Sequence, residues 1–435
     1  MAKFSDSLNI TVDVNVSPSG PLTCDQDITT ILSVTGTTGA RKPVDMMLVF
    51  DRSGSMSYDY LLDTSDAQAL DVDGDYAYVA DSTSGLRDVN AIDPGLTNIL
   101  ATYNSPGTAR DVDVNSSYAF VADGTSGLRI VNVTTPASPS SVASVDLGGD
   151  AYGVDTNGDI AYVVTTGSDE IDISQTSTGN NEIVIGRSAS ELYGAQSFVP
   201  GVDHMSGAII RARRVGNPSG GLVLSVRSTI NGADLATVTI PVTSFSTSFQ
   251  NVSGSFLTVP LTSGNTYYLV ATTSGTSNTN YYEWNGTNSS QYSGGQAFQN
   301  ASGQSWDARF ETRFLTGMIR LNTSTKASPI VTGAVDLADG WRVWFRRPYV
   351  YVANGNNGIS IYNSNAATPI ALGFYNTTGY TYDVSVYSSY AYVSDGTAGL
   401  RIIDISNPAS PSLVSTYNTP GTAYATRVYN NMAYV

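Results

Sequence analysis

An aromatic residue followed by valine recurs along this chain at a nearly constant interval. The spacings between successive copies are 42, 42, 189, 41 and 42 residues, and 189 is 42 plus 147. A foreign segment of about 147 residues therefore interrupts the third of six repeats. The six copies are Tyr78-Val79, Phe120-Val121, Tyr162-Val163, Tyr351-Val352, Tyr392-Val393 and Tyr434-Val435.

Each complete repeat contains four short runs in which apolar and polar residues alternate. Residues 380–421 show the pattern most fully: YTYDVSVYSSYAYVSDGTAGLRIIDISNPASPSLVSTYNTPG. Alternation with a period of two, bounded by Gly, Asn, Asp or Pro, is typical of β-strands. Four strands in about 42 residues form one β-propeller blade, and a single blade is too small to fold alone. The repeats therefore predict an all-β propeller.

The repeats resemble the LVIVD family, a bacterial and archaeal β-propeller repeat. The resemblance covers about 66–173 and 317–435, which we assign to blades 1–3 and 3–6. It rests on the aromatic-valine step and on a Gly-Leu-Arg step at Gly85, Gly127 and Gly399. The resemblance implies a fold and says little about function, because propellers serve many functions.

The sixth repeat supplies only two strands, so its blade needs two more. Residues 46–63 (MMLVFDRSGSMSYDYLLD) have the same order of apolar strand, Asp, turn and second strand as residues 400–418. We predict a six-bladed propeller closed by these N-terminal strands, because closure removes an exposed sheet edge. The alternative is a truncated chain whose remaining blades are absent.

A possible metal motif overlaps these closing strands. Asp51-Arg52-Ser53-Gly54-Ser55 follows an apolar strand and resembles the opening of a von Willebrand factor A domain, whose metal-ion-dependent adhesion site reads D-x-S-x-S. The resemblance implies that Asp51, Ser53 and Ser55 bind Mg²⁺ or Ca²⁺, which prefer oxygen ligands. It covers only about 44–57, and the helical remainder of that domain is not found. The alternative is a solvated turn.

Two acidic loops occupy equivalent places in blades 1 and 3. Alternating oxygen ligands around a glycine resemble half of a calcium loop. We therefore name both loops as candidate Ca²⁺ sites, although Asp-Gly and Asn-Gly are also common hairpin turns, which is the favoured interpretation. The candidate ligands are Asp71, Asp73, Asp75, Asp155, Asn157 and Asp159.

Residues 174–316 lack the 42-residue period but keep strand patterning. Eight or so strands in this length predict a two-sheet jelly roll. The segments GAQSFVPG, LTSGNTYYLVAT and YYEWNG resemble jelly-roll modules of bacterial and archaeal surface proteins, many of which are likened to carbohydrate-binding domains. Aromatic rings that could stack on glycans are Tyr281, Tyr282, Trp284 and Trp306, and the alternative is that they belong to the core.

Composition excludes several function classes. The formal net charge of −16 argues against nucleic-acid binding, which requires a basic face. One His and one Cys leave no material for His- or Cys-based catalysis, so we expect no enzyme. The longest apolar run has five residues, Met46 to Phe50, whereas a membrane helix needs about 20. No signal peptide is visible at the N-terminus.

The N-terminal segment, residues 1–43, contains an alternating strand at residues 8–16 and a second strand near 28–34. Two strands are too few to be stable alone. We expect strand 8–16 to be donated to a neighbouring copy, which would build a homopolymer. The alternative is that it folds back onto its own chain.

We therefore predict an extracellular structural glycoprotein that assembles into a surface filament or layer and is stabilised by Ca²⁺. The alternative is an adhesin that binds glycan or protein through the metal motif or the jelly roll. Ten sequons provide candidate glycosylation sites: Asn9, Asn15, Asn115, Asn132, Asn251, Asn285, Asn288, Asn300, Asn322 and Asn376. The predicted parts are residues 1–43, 44–65, 66–173, 174–316 and 317–435.

Overall fold

The computed structural model describes residues 11–17, 29–35, 66–91, 98–166, 170–337, 339–429 and 432–435. The chain divides into two units, Met1–Asp63 and Thr64–Val435. In the first unit, strands β1 (Thr11–Ser17) and β2 (Thr29–Thr35) form an antiparallel pair. Thr11 lies opposite Thr35 and Ser17 lies opposite Thr29. The two strands expected in the N-terminal segment are thus present and paired with each other.

The second unit begins with two four-stranded antiparallel sheets, which we call blades 1 and 2. In each blade the strands follow one another in space as they do in sequence. Blade 1 consists of β3 (Ala69–Asp73), β4 (Tyr76–Ala80), β5 (Leu86–Asn90) and β6 (Asn98–Tyr103). Blade 2 consists of β7 (Asp111–Asn115), β8 (Tyr118–Ala122), β9 (Leu128–Asn132) and β10 (Ser140–Val145).

Blade 3 starts with β11 (Ala151–Asn157) and β12 (Ile160–Thr165), and an inserted domain then leaves the blade. Its strands form two six-stranded antiparallel sheets. One sheet has the order β13-β24-β16-β21-β14 with β19 also paired to β16, and the other has the order β18-β17-β20-β15-β22-β23. The strands and one 3₁₀ turn are β13 (Glu170–Gln175), β14 (Glu182–Ile185), β15 (Tyr193–Phe198), β16 (His204–Val215), β17 (Leu222–Arg227), β18 (Asp234–Ile240), η1 (Val242–Ser244), β19 (Gln250–Pro260), β20 (Tyr267–Thr273), β21 (Tyr281–Asn285), β22 (Ala297–Gln299), β23 (Ser302–Gly303) and β24 (Phe310–Phe314).

The two sheets of the insertion enclose a single apolar core. Ile210 and Trp284 from one sheet and Leu224 and Phe198 from the other belong to the same buried cluster. The insertion leaves and rejoins the blade side by side, because β13 pairs with β24 and Glu170 lies opposite Phe314. The paired strands place its limits at 170–314, close to the expected 174–316.

The chain then completes blade 3 and builds two further blades. β25 (Gly317–Asn322) pairs with β12, and β26 (Ile330–Asp336) forms the outer edge. Blade 4 consists of β27 (Arg342–Arg346), β28 (Tyr349–Ala353), β29 (Ile359–Asn363) and β30 (Ile370–Tyr375). Blade 5 consists of β31 (Asp383–Tyr387), β32 (Tyr390–Ser394), β33 (Leu400–Asp404) and β34 (Ser412–Tyr417). A hairpin follows, made of β35 (Arg427–Tyr429) and β36 (Met432–Tyr434).

Blades pack face to face through the aromatic-valine strand. Phe120 and Ile130 of blade 2, for example, share a buried cluster with Ala161 and Val163 of blade 3. The first strands of successive blades contact one another in the order β3, β7, β11, β27, β31 and β35. These six strands are therefore the innermost strands, and they face a shared channel.

The Gly-Leu-Arg step fixes the turn between the second and third strands of a blade. Gly127 has a φ of +71°, and a Cβ there would lie 2.1 Å from the carbonyl oxygen of Val145. Only glycine allows this approach. Arg129, two residues after this glycine, forms an ion pair with Asp123, which precedes the turn. The Arg129 guanidinium lies 3.5 Å from the Asp123 carboxylate. The same ion pair joins Arg401 to Asp395 at 3.0 Å.

Candidate functional site

The channel is lined by side chains that occupy equivalent positions in the innermost strands. The first of these positions lies nine residues before the aromatic residue of each repeat. It is occupied by Ala69, Asp111, Gly153, Arg342, Asp383 and Ala425. The second position lies seven residues before the same aromatic residue. It is occupied by Asp71, Asp113, Asp155, Trp344, Ser385 and Arg427. Five of these side chains are carboxylates and two are guanidinium groups. The cavity that they line has a volume of about 510 Å³.

Each channel carboxylate joins its own blade to the next one. The N–H of Val114 donates to Asp71 at 2.7 Å, and the N–H of Phe345 donates to Asp155 at 2.7 Å. In every case the donor is the residue that follows the equivalent position in the next innermost strand. An innermost strand has an unpaired edge, so these carboxylates satisfy N–H groups that lack a strand partner. The remaining bonds of this kind join Val154 to Asp111, Thr156 to Asp113 and Thr426 to Asp383.

Arg342 closes one end of the channel. Its guanidinium donates to the backbone carbonyl oxygens of Arg110, at 3.0 Å, of Gln68, at 3.4 Å, and of Tyr152. One nitrogen also lies 3.5 Å from the Asp111 carboxylate. A single side chain from blade 4 thus contacts blades 1, 2 and 3, which a planar donor with five N–H groups can do.

Arg427 supplies the second positive charge. Its guanidinium lies 3.0 Å from Asp383 and 5.5 Å from the ring of Trp344. The Arg427 side chain is 48% exposed, and the carboxylates of Asp383, Asp111, Asp155 and Asp71 together raise the pKa of its guanidinium. Neither Arg342 nor Arg427 was singled out from the sequence. The available signal was the repeat register, in which both replace residues that are Asp in other copies.

Burial raises the pKa of four channel carboxyl groups, those of Asp71, Asp111, Asp113 and Asp155. Burial raises the pKa of Asp113 to about 7, and the neighbouring Asp71 adds to the rise. Burial also raises the pKa of Asp155 well above its usual value, with a further contribution from Asp113. Closely spaced carboxylates in a desolvated site favour partial protonation. Protonation and the two guanidinium groups therefore reduce the negative charge of the channel.

The residues proposed as Ca²⁺ ligands are divided between the channel and two hairpin turns. Asp71 and Asp155 are bonded to the next blade, whereas Asp73 and Asn157 end their strands at two-residue turns. Those turns are Gly74-Asp75 and Gly158-Asp159. In the part of the chain that the structure describes, no group of three or more His, Cys, Asp or Glu side chains could hold a metal ion. The motif at Asp51, Ser53 and Ser55 lies outside the described residues.

The expectation that the insertion carries exposed stacking aromatics is wrong for two of the four. Tyr282 and Trp284 are fully buried, because alternate residues of β21 point into the core. Trp306 is partly buried and packs against the same core. Tyr281 is half-buried, with the guanidinium of Arg187 5.5 Å from the centre of its ring.

The sequons differ in accessibility. Asn285 is 4% exposed and its amide donates to the carbonyl oxygen of Gly179, so this site is unsuitable for a glycan. Asn251, Asn288 and Asn376 are exposed. Asn9 lies outside the described residues, and for Asn15 only the backbone of β1 is described. The four half-buried sites are Asn115, Asn132, Asn300 and Asn322.

Comparison with protein families supports the repeat assignment. Four segments match the LVIVD repeat, at residues 65–89, 106–147, 339–377 and 378–419. The prediction of LVIVD repeats is confirmed for these segments, and together with the four-stranded sheets they support a β-propeller. No curated protein matches the chain.

Several solved propellers are similar in outline. Saccharomyces cerevisiae Sqt1 is 7% identical, with 87% of this chain and 83% of that chain covered and a TM-score of 0.39. The WD40 β-propeller domain of Doa1 is 9% identical, with coverages of 84% and 87% and a TM-score of 0.31. BamB from Moraxella catarrhalis is 11% identical, with coverages of 86% and 91% and a TM-score of 0.27. Matches at these TM-scores carry no argument about function.

Proposed function

We propose that this chain is an extracellular structural glycoprotein that assembles with copies of itself into a surface filament or layer. In this proposal the propeller has six blades, residues 46–63 complete the sixth, and the insertion is a jelly-roll module. The strand at residues 8–16 then links one copy to the next. In the described part of the chain, no helix has the length and apolarity needed to cross a membrane.

The observation that supports completion of a sixth blade is an incomplete sheet. β36 pairs with β35 on one side, and no described strand pairs with its other edge. Val435 is 52% exposed, whereas the valines at its equivalent positions are fully buried: Val79, Val121, Val163, Val352 and Val393. An apolar strand with a free edge is a template for another strand.

The groove beside β36 has the properties of a strand-binding site. It has a volume of about 670 Å³ and is lined by Leu400, Tyr417, Pro420, Ala433 and Val435, among others. Tyr417 is 65% exposed. Burying such side chains contributes about 25 cal/mol per Å² of apolar area, in addition to the ladder hydrogen bonds.

A disulfide test distinguishes closure within a chain from closure by a neighbour. Repeat alignment places Val49 opposite Tyr434, so V49C and Y434C in a C24S background should form an intramolecular disulfide. Non-reducing electrophoresis should show a compact monomer. A ladder of cross-linked multimers would instead show that a neighbour completes the blade. If the V49C/Y434C chain cross-links no more than a V49C/Y417C control, both arrangements are contradicted.

Strand donation is tested by the N-terminal segment itself. Purified full-length chain should form polymers in negative-stain micrographs, and deletion of residues 1–20 should abolish them while the circular dichroism of the propeller is retained. V12D/V14D alters the apolar face of the strand and should act like the deletion, whereas D13N on the other face should not.

The outcomes separate the two candidate roles. Polymers that persist after the deletion would contradict strand donation. A monomer that binds glycans without assembling would favour an adhesin instead. If Ca²⁺ stabilises the assembly, EDTA should shorten the polymers and added Ca²⁺ should restore them.

A further inference from the structure

A set of equivalent residues surrounds the end of the channel that Arg342 closes. Ten residues before the aromatic of each repeat stand Gln68, Arg110, Tyr152, Trp341, Tyr382 and Tyr424, which we call the aromatic arc. Three of their backbone carbonyl oxygens, those of Gln68, Arg110 and Tyr152, converge on the Arg342 guanidinium. The arc therefore lies at the mouth of the channel, with Arg342 as its floor.

Five side chains of the arc form one continuous row of contacts, in which neighbouring rings are tilted or edge-to-face. The guanidinium of Arg110 lies 4.2 Å from the ring centre of Tyr152, which is 4.9 Å from that of Trp341. The ring of Tyr382 follows at 5.3 Å from Trp341, and Tyr424 follows at 4.8 Å from Tyr382. Tyr424 is 63% exposed and the other members are half-buried. Four aromatic rings from four successive repeats thus reach solvent side by side.

Polar groups lie at one end of the row of rings and beside its middle. Asp150 lies 3.9 Å from Arg110, and both side chains are about one-third exposed, at 31% and 28%. The Nε of Arg110 is buried and has no hydrogen-bond partner among the described residues. Beside Trp341, in the middle of the row, one oxygen of Asp339 accepts from the Tyr380 hydroxyl at 2.6 Å and from the Trp341 indole N–H at 3.1 Å.

We propose that the aromatic arc is a saccharide-binding platform at the mouth of the propeller channel. The C–H faces of a pyranose ring pack against exposed aromatic faces, and its hydroxyls are both donors and acceptors. Arg110, Asp150 and Asp339 supply the matching charged and polar groups beside the rings. The four aromatic rings of the arc come from four successive repeats, so a linear chain of several sugars suits it better than a monosaccharide.

The chemistry of the arc disfavours other ligands of similar shape. Stacked nucleotides require a basic surface, and this chain has a net charge of −16. Quaternary ammonium groups require an aromatic cage free of competing cations, but Arg110 already occupies the face of Tyr152. A neutral saccharide meets neither obstacle.

The test uses the full chain and four defined probes: cellohexaose, chitohexaose, maltohexaose and mannohexaose. We expect titration calorimetry to show binding of at least one probe, accompanied by a change in tryptophan emission from Trp341. Y424A should weaken that binding about tenfold, which corresponds to about 1.4 kcal/mol, while Y424F should retain it. The matched control is F374A, because Phe374 is also highly exposed, at 71%, but lies on the outer strand of blade 4 and outside both proposed binding sites.

Several outcomes would overturn the proposal. They are the absence of binding by all four probes at millimolar concentration, equal binding by Y424A and the unaltered chain, and binding of choline in place of every saccharide. Unchanged thermal melting of Y424A excludes misfolding, and Y382A provides a second variant of the same row of rings. Because the arc and the free edge of β36 involve different residues, failure of either proposal leaves the other intact.

Discussion

The substitution Asp88→Ile should stabilise the protein by about 4 kcal/mol at pH 8. Asp88 is fully buried in β5, and neither of its carboxylate oxygens has a hydrogen-bond partner among the described residues. It lies opposite Tyr78, which packs against Ala119 and Val121 of blade 2. The equivalent residues of three other blades are Ile130, Ile361 and Ile402. Isoleucine therefore fits this position, and its introduction removes an unpaired charge.

The same carboxyl group makes stability depend on pH. Burial raises the pKa of Asp88 from its ordinary value of 3.8 to about 7. Below the unfolded pKa both states are protonated and there is no penalty. As pH rises from about 4 to about 7, only the unfolded state releases the proton, so the free energy of unfolding falls. The free energy of unfolding of the Asp88→Asn variant, measured in urea, should therefore decrease less between pH 4 and pH 8 than that of the unaltered chain.

Two controls separate the charge of Asp88 from general effects of substitution. Asp73→Asn changes an exposed carboxylate of the same blade and should have little effect. Ile130→Asp places the same unpaired carboxylate between blades 2 and 3 and should destabilise the protein at pH 8. A variant Asp88→Ile that is no more stable than the unaltered chain would show that the carboxylate has a partner in solution.

The substitution Arg342→Met should destabilise the protein by about 3–5 kcal/mol, because it leaves the Asp111 carboxylate and three carbonyl oxygens without their guanidinium partner. The Arg342 side chain is only 20% exposed, and that of Asp111 is 7% exposed. Blades 1, 2, 3 and 4 all meet at this group, so its loss weakens several interfaces together. Thermal unfolding followed by circular dichroism measures the effect.

Arg346 provides the matched control for this substitution. It lies on the same strand, β27, but is exposed at the opposite end of the strand. Arg346→Met should change stability by about 0.5 kcal/mol or less. Arg342→Lys keeps the charge but loses the planar fork, so an intermediate loss is expected. Equal effects of the Arg342→Met and Arg346→Met substitutions would contradict the role of Arg342 in joining blades.

The repeat architecture could be predicted from the sequence because it depends on short local motifs. The aromatic-valine step, the Gly-Leu-Arg turn and the two-residue hairpins each act within a few residues, and 42-residue spacing reveals their recurrence. The limits of the insertion followed from the same spacing. Closure involves residues 46–50, which lie outside the described part of the chain, and it stays a prediction.

The channel and the aromatic arc could not be read so directly, because their residues are distant in sequence. Arg342 and Arg110 are separated by more than 230 residues and meet only because the innermost strands surround one channel. Aromatic content alone gave a wrong prediction of glycan-stacking residues. Tyr282 and Trp284 have side chains that could stack on a sugar, but strand alternation places both in the core. The row of Tyr152, Trp341 and Tyr382 becomes visible only when the repeats are aligned on the same position.

The insertion leaves blade 3 through the turn that joins its second and third strands. Thr165 and Gly317, the residues on either side of the departure, remain bonded to each other, with 2.8 Å between the N–H of Gly317 and the Thr165 hydroxyl. The blade therefore keeps its register whatever the turn carries. Such a turn is the kind of place at which insertion of a domain is tolerated.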